Sequence, residues 1–247
     1  LANLNGFNPA TDMVAYDDLL PLDKWAIGHA AKLQDEIVEA YESYNFHHIY
    51  QTVTHFCSIE LGAFYLDVIK DRQYPTQADS LARRSCQSAM FHIIEAMSRW
   101  LAPVLSFTAD EIWQHIPGPR DPRVFTETWY QGLFSLESPA NDAASRAMGA
   151  GFWEQVRAVR TAVGKQLEAA RNQGLIRAGL DAEVDLYCSP ELLGTLSQLG
   201  DELRFVLITS AARLHPLEVP AEAEATAAIA PEASAQGVDA FAEPMPQ

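Results

Sequence analysis

The 247 residues carry 17 Lys and Arg against 33 Asp and Glu, a formal charge of −16, with 48% hydrophobic side chains. This composition supplies core material for one large domain or two small ones, contains no apolar run near the roughly 18 residues a membrane span needs, and on charge alone argues against a nucleic-acid partner. Cys57, Cys86 and Cys188 are widely spaced with no Cys-x-x-Cys pair, which excludes a disulfide framework and fits a reducing cytoplasm.

The chain opens on Leu1 without a charged leader or targeting segment, so it reads as a fragment of a longer protein. Its acidity is uneven, because every Lys and Arg lies at or before Arg213 while six carboxylates follow it. The body alone holds 17 basic against 27 acidic residues, a balance of −10. Any RNA contact must therefore come from a local basic patch.

In chain order, Leu22, Ala26, Ala30, Leu33, Ile37, Ala40 and Tyr44 draw one helical stripe over residues 21–44. Asn45 interrupts it. A second stripe through Phe46, Ile49, Tyr50, Val53, Phe56, Cys57, Phe64 and Val68 ends in Lys70-Asp71-Arg72, and the two helices are expected to pack antiparallel. Tyr74-Pro75-Thr76 breaks the chain, and Thr76 with Asp79 reads as the cap of a third helix burying Cys86, Ile93 and Trp100. Pro103 ends that helix. Thr108 with Glu111 reads as a capping box, and Phe107 with Ile112 as a hydrophobic staple, for a fourth helix closed by Pro117-Gly118-Pro119.

Residues 118–151 are irregular, with Val124 to Trp129 resembling a short strand. The expected organisation is a helical bundle over 1–135, a connector over 136–151, and a long helix plus small α+β subdomain over 152–219. The long helix runs from Phe152 to Asn172 with Gly174 as its stop. Val184, Leu186 and Cys188 then alternate as a strand, Pro190 to Leu199 looks helical, and Leu203 to Thr209 reads as a second strand. Residues 220–247, rich in Ala, Glu and Pro, read as a disordered or linker tail.

No catalytic constellation accompanies these elements. His47, His48 and His55 lack the thiolate pair or His-Glu-x-x-His pattern of a zinc site, so no metal site is assigned, and Asp110 and Glu111 suit a helix N-terminus better than paired acid–base work. Gly-rich phosphate loops and nucleophile motifs are missing, and Ile27-Gly28-His29 is only a chance echo of a nucleotide-binding signature inside a helix. The candidate binding residues are basic. Lys70 and Arg72 end the second helix, Gln73 and Tyr74 occupy the turn, and Arg83 and Arg84 open the third, a place where guanidinium groups and helix-terminal amides suit an RNA phosphate and a ring suits a base. Arg157, Arg160, Lys165 and Arg171 form a second set within about 140° on the long helix.

The words NLNGF, LPLDKWA, FCSIELGAFYLDVIKDRQY, WLAPVLSFTADEIWQHIP, ETWYQG and DELRFVLITSA together resemble isoleucyl-tRNA synthetase, a class I aminoacyl-tRNA synthetase, over roughly residues 1–213. The resemblance implies a mainly α fold, an anticodon-binding helix bundle followed by a small α+β subdomain, that recognises the anticodon stem and loop of isoleucine tRNA. It implies that the catalytic and editing domains of the same parent protein, which joins isoleucine to its tRNA using ATP, precede this region, so the chain alone is expected to be inactive. Many bacterial members carry a zinc-binding cysteine module after the α+β unit, and here that place holds the Ala/Glu/Pro tail, so no cofactor is expected in this chain while the parent uses ATP and can carry zinc. The reading set against this one is a helical protein-interaction scaffold whose acidic surface avoids nucleic acid; a standalone metal hydrolase built on the histidines is a third.

Overall fold

The computed structural model describes residues 1–138 and 146–217, together with the backbone of 239–244. It divides into two units, Leu1–Ala150 and Gly151–Gln247.

In the first unit α1 (Pro21–Glu42) begins with proline at its first helical position, where the missing amide costs nothing. It buries Leu22, Ala26, Ala30, Leu33, Ile37 and Ala40, as the stripe predicts. Asn45 caps α2 (Phe46–His55) by accepting from the His48 amide. The helix then widens into a π segment, Phe56–Tyr65, before resuming as α3 (Leu66–Gln73). Within the π segment Phe56, Glu60 and Phe64 are buried at every fourth position. The α2–α3 rod runs antiparallel to α1, since Phe56 stacks on His29 near its start and Phe64 meets Trp25 near its end.

The third rod, α4 (Leu81–Leu101), is capped by Ser80, whose hydroxyl accepts from the Arg83 amide. This corrects the expected Thr76–Asp79 cap: the Thr76 hydroxyl is turned the other way, donating to the Arg72 carbonyl. Helices α1 and α4 are parallel, for the Leu20 amide at one end donates to Ser85 Oγ and the Tyr41 hydroxyl at the other donates to the Trp100 carbonyl.

Helix α5 (Ser106–His115) starts earlier than expected and has no side-chain cap. The Leu105 amide donates to Leu101 and the Ser106 hydroxyl to Ala102, so the chain stays coiled past Pro103 and Thr108 falls inside the helix. No staple forms, because Phe107 is 95% exposed. Asp110 likewise is not a cap residue; it pairs with Arg123. Val124–Thr126 is a single 3₁₀ turn rather than a strand, with Val124 joining Ala102, Ala109, Trp113 and Ile116 in a small core.

The connector then lies over α1. Gln34 donates to the Tyr130 carbonyl, and Leu136 Cγ lies 2.5 Å from where a Cβ at Gly28 would stand. Gly28 is thus a site of close approach inside a helix, consistent with discounting its likeness to a nucleotide-binding signature. Residues 139–145 of the expected connector lie outside the described residues.

In the second unit α6 (Ala150–Asn172) buries Phe152, Val156, Val159, Val163 and Leu167, and the chain turns at Gly174 with φ +75°. Strand β1 (Ala182–Cys188) alternates as predicted. It is followed by α7 (Pro190–Ser197), α8 (Glu202–Leu207) and β2 (Ala211–Pro216). The run Leu203–Thr209 is therefore helix and turn, not strand: Leu203, Val206 and Leu207 are buried at steps of three and four, and Ile208 stops the helix at φ +57°. A short apolar run does not distinguish the two by itself. Strand β2 pairs parallel to β1, as a helical crossover requires, with Asp185 opposite Arg213 and Tyr187 opposite His215.

A third strand, β3 (Asp239–Pro244), pairs antiparallel on the other side of β1. This corrects the expectation of a disordered tail for those six residues; the rest of 220–247 lies outside the described residues. Edge pairing uses backbone groups, so it needs no apolar period.

Candidate nucleic-acid interface

The end of the first unit where α3 stops and α4 starts collects the basic residues singled out in the sequence, and the structure sorts them sharply. Lys70 is exposed and pairs with Asp67 at 2.8 Å. Tyr74 is 71% exposed, with its hydroxyl on Asn3 Oδ1 at 3.1 Å. Arg83 is half-buried, and among the described residues no carboxylate pairs with its guanidinium. Lys70 and Tyr74 face outward, while Arg83 keeps its Nε buried.

Arg72, Gln73 and Arg84 face inward instead. Arg72 is only 2% exposed, with Nη1 3.9 Å from Asp23 Oδ2 in the bundle core. Asp23 also accepts from the Tyr65 hydroxyl at 2.7 Å and from Ser85 Oγ at 2.5 Å. Burial raises the Asp23 carboxyl above its ordinary value against the opposing pull of Arg72, and burial with the nearby Asp23 charge holds the Tyr65 phenol well above its own. Gln73 donates to the Asn3 carbonyl, while Arg84 reaches the Gly6 carbonyl and Asp12. The expected RNA patch is thus partly an anchor for the chain's first residues. A cation at a helix end reads as solvated, yet Arg72 falls four residues after Val68 and three after Ile69, both buried, and that spacing marks its inward face.

In the second unit Lys165 is exposed and Arg157 half-buried on α6. Arg160 donates to the Val206 carbonyl at 2.5 Å, and Arg171 pairs with Glu168. Lys165 and Arg157 point along the polar side.

His29, His48 and His55 line a groove of about 350 Å³ between α1 and α2, with His55 Nε2 3.3 Å from the buried Glu60. Among the described residues no group of three or more His, Cys, Asp or Glu is placed to hold an ion.

At the opposite end of the bundle lies a feature the sequence reading did not single out. Phe46 and Tyr50, counted there as buried, are exposed, as is Tyr44. They continue through Tyr41 to Trp129, which walls a cleft of about 520 Å³. The visible clue is the crowding of Tyr41, Tyr44, Phe46 and Tyr50 around one turn, more rings than a helical stripe can bury.

The residue pattern over most of this fold matches one family model, the anticodon-binding domain of tRNA ligase, across residues 23–186. The chain belongs to that anticodon-binding family. It is similar to the isoleucine–tRNA ligase of Alkalilimnicola ehrlichii, 58% identical over 218 residues, which are 88% of this chain and 22% of that protein. The isoleucine–tRNA ligases of Thioalkalivibrio sulfidiphilus and a Marinomonas species are 60% and 55% identical over 87% and 90% of the chain. The chain therefore spans less than a quarter of the length of the curated relatives it matches. As in the sequence reading, the domain is mainly α with a small α+β part. Among the described residues no helix is long and apolar enough to cross a membrane.

Proposed function

We propose that this anticodon-binding chain recognises isoleucine tRNA as part of an isoleucine–tRNA ligase. The observation that carries the reading is identity of 55–60% to isoleucine–tRNA ligases over nearly nine-tenths of the chain. Lys70, Tyr74 and Arg83 would meet the RNA directly, with Arg157 and Lys165 as a second cationic set. Arg72, Gln73 and Arg84 support them from beneath by fixing the α3–α4 turn and the first residues of the chain. Bond making, with ATP, belongs to portions of the parent outside this sequence, and the chain supplies orientation.

The test is binding of the chain to isoleucine tRNA, an anticodon-altered variant and an unrelated tRNA at two salt concentrations. Preference for the intact anticodon, with affinity falling as salt rises, supports phosphate contact plus base reading. Absence of binding to all three at low salt overturns the reading for the isolated chain.

A further inference from the structure

The α2–α3 rod is wound in two ways. At the end of α2 the Phe56 amide donates to the Thr52 carbonyl, four residues back, whereas at the end of the π segment the Leu66 amide donates to the Leu61 carbonyl, five residues back. Ten residues of π winding exceed the single-turn bulge that helices ordinarily carry, and such windings collect at functional sites. Two features of the sequence are matched to this winding. His55 Nε2 lies 3.3 Å from Glu60 Oε1, and the two residues are five positions apart. At about 100° per residue an α-helix would set them roughly 140° apart on different faces, so the contact belongs to the π winding. A Cβ at Gly62 would stand 3.0 Å from the Cys57 carbonyl oxygen, again five residues back. The bare backbone of glycine is what admits that approach.

The segment sits between two charged contacts. At its start Glu60 is 5% exposed between the buried Phe56 and Phe64, with His29, Lys32 and Glu36 of α1 and His48 of α2 lining the same groove. Beyond its end α3 is held by Arg72 on Asp23. Converting one π turn to α would rotate α3 by roughly one residue's step, about 100°. That rotation takes Arg72 away from Asp23 and turns Lys70 and Tyr74 from their outward directions. A packed rod of this kind has discrete registers rather than a continuous range of them.

We propose that Phe56–Tyr65 is a register switch for α3: the His55–Glu60 contact and the bare backbone at Gly62 hold the π state, and their loss releases an α state in which α3 is rotated about its axis. The switch stands on the geometry of this segment. Its consequence for binding rests on the tRNA reading, because the π register is the one that sets Lys70 and Tyr74 outward. A tRNA that meets those two side chains selects the π state and is weakened by whatever fraction of the chain leaves it.

The experiment compares backbone amide resonances of the whole chain with those of His55→Ala and Gly62→Ala, two exposed positions that act on the π state by different routes. His55→Ala removes the five-apart contact, and Gly62→Ala crowds the Cys57 carbonyl while favouring α winding. The expected result is that both variants move the resonances of Leu66–Tyr74 toward the same positions, with those of α6 unchanged. Should Gly62→Ala fail to fold, His55→Ala, with its side chain 63% exposed, carries the test. Resonance changes confined to one turn around each substitution overturn the switch. Isoleucine tRNA binding is read on the same samples: if the π state falls to about one tenth of the population, affinity falls about tenfold. Displaced α3 resonances with unchanged affinity leave the switch standing and overturn its coupling to the basic end. A wild-type chain that binds no tRNA overturns the tRNA reading, while the resonances still decide the switch.

Discussion

Replacing Arg72 separates a structural cation from an RNA-binding one. Its guanidinium is 2% exposed and faces Asp23, which has no exposure at all. Arg72→Met keeps most of the side-chain volume while leaving the carboxylate buried with only the Tyr65 and Ser85 hydroxyls. Removing one partner of a buried pair costs about 3–5 kcal/mol, and at about 2–4 °C per kcal/mol for a chain of this size the helical melt should fall by roughly 6–20 °C. The loss should depend on pH with a definite sign. Asp23 already has a raised folded-state value, so its contribution is present below its unfolded value of 3.8 and is lost as pH rises through the folded one. Without Arg72 that folded value rises further, so the variant should be less impaired near about pH 5 than near about pH 8. Asp23→Asn in the Arg72→Met background should recover a large part of the loss, because the stranded charge is then gone. The assay is thermal unfolding by far-ultraviolet circular dichroism at both pH values. A melting point within a degree or two of wild type, together with a shallower salt dependence of tRNA binding, would refute the buried-pair argument and return Arg72 to the RNA surface.

Arg83→Ala should weaken tRNA binding and reduce the salt slope by up to about one unit, whereas Arg84→Ala, whose guanidinium holds Gly6 and Asp12, should lower the melting point with the slope unchanged; filter binding over a salt series and thermal melts distinguish them. Tyr44→Gly relieves a left-handed backbone at a cost otherwise of about 1 kcal/mol, so it should raise the melting point slightly, and a fall in stability would contradict the strain. His92, half-buried against the Tyr130 hydroxyl at 2.8 Å, is pushed by desolvation from 6.5 down to about 4. Its stabilising share is complete above about pH 6.5 and is lost as pH falls toward 4, up to about 3 kcal/mol at 1.36 per unit; His92→Gln should flatten the melting profile in that window, and an unchanged profile would count against a buried neutral imidazole.

The long rods of this fold were legible because their buried faces repeat at helical spacing: α1, α4 and α6 lie where the Leu22, Cys86 and Phe152 stripes put them. Errors fell where local sequence offered two outcomes of similar cost. Thr108 and Glu111 satisfy a capping pattern, yet the chain stays coiled from Leu101 through Ser106 and the pattern ends up inside α5. LRFVLIT reads as a strand by composition and as a helix by the spacing of its three buried residues. The π segment was invisible, since one extra residue per turn barely disturbs a run as apolar as FCSIELGAFY. For the candidate interface, residue type placed cations near the α3–α4 turn but carried no information on which of them a buried carboxylate 49 positions earlier would claim.

The acidic composition and RNA recognition are compatible once the destinations of the cations are followed. Arg72, Arg84, Arg99, Arg120, Arg123, Arg171 and Arg213 each sit within 4 Å of a carboxylate. Arg72, Arg84, Arg99 and Arg120 are largely buried in these pairs and brace the fold, whereas Arg123, Arg171 and Arg213 pair at the surface, where an ion pair adds little stability. Ten of the seventeen Lys and Arg lie outside this set, Lys70 and Arg83 among them, so counterion release can supply part of the affinity. The remainder must come from contacts indifferent to salt, and the exposed rings at the cleft end are the available surface of that kind. A binding profile sensitive to the unpaired bases as well as to salt follows from this division; a profile that falls with salt but is indifferent to the bases would mean that phosphate contacts dominate.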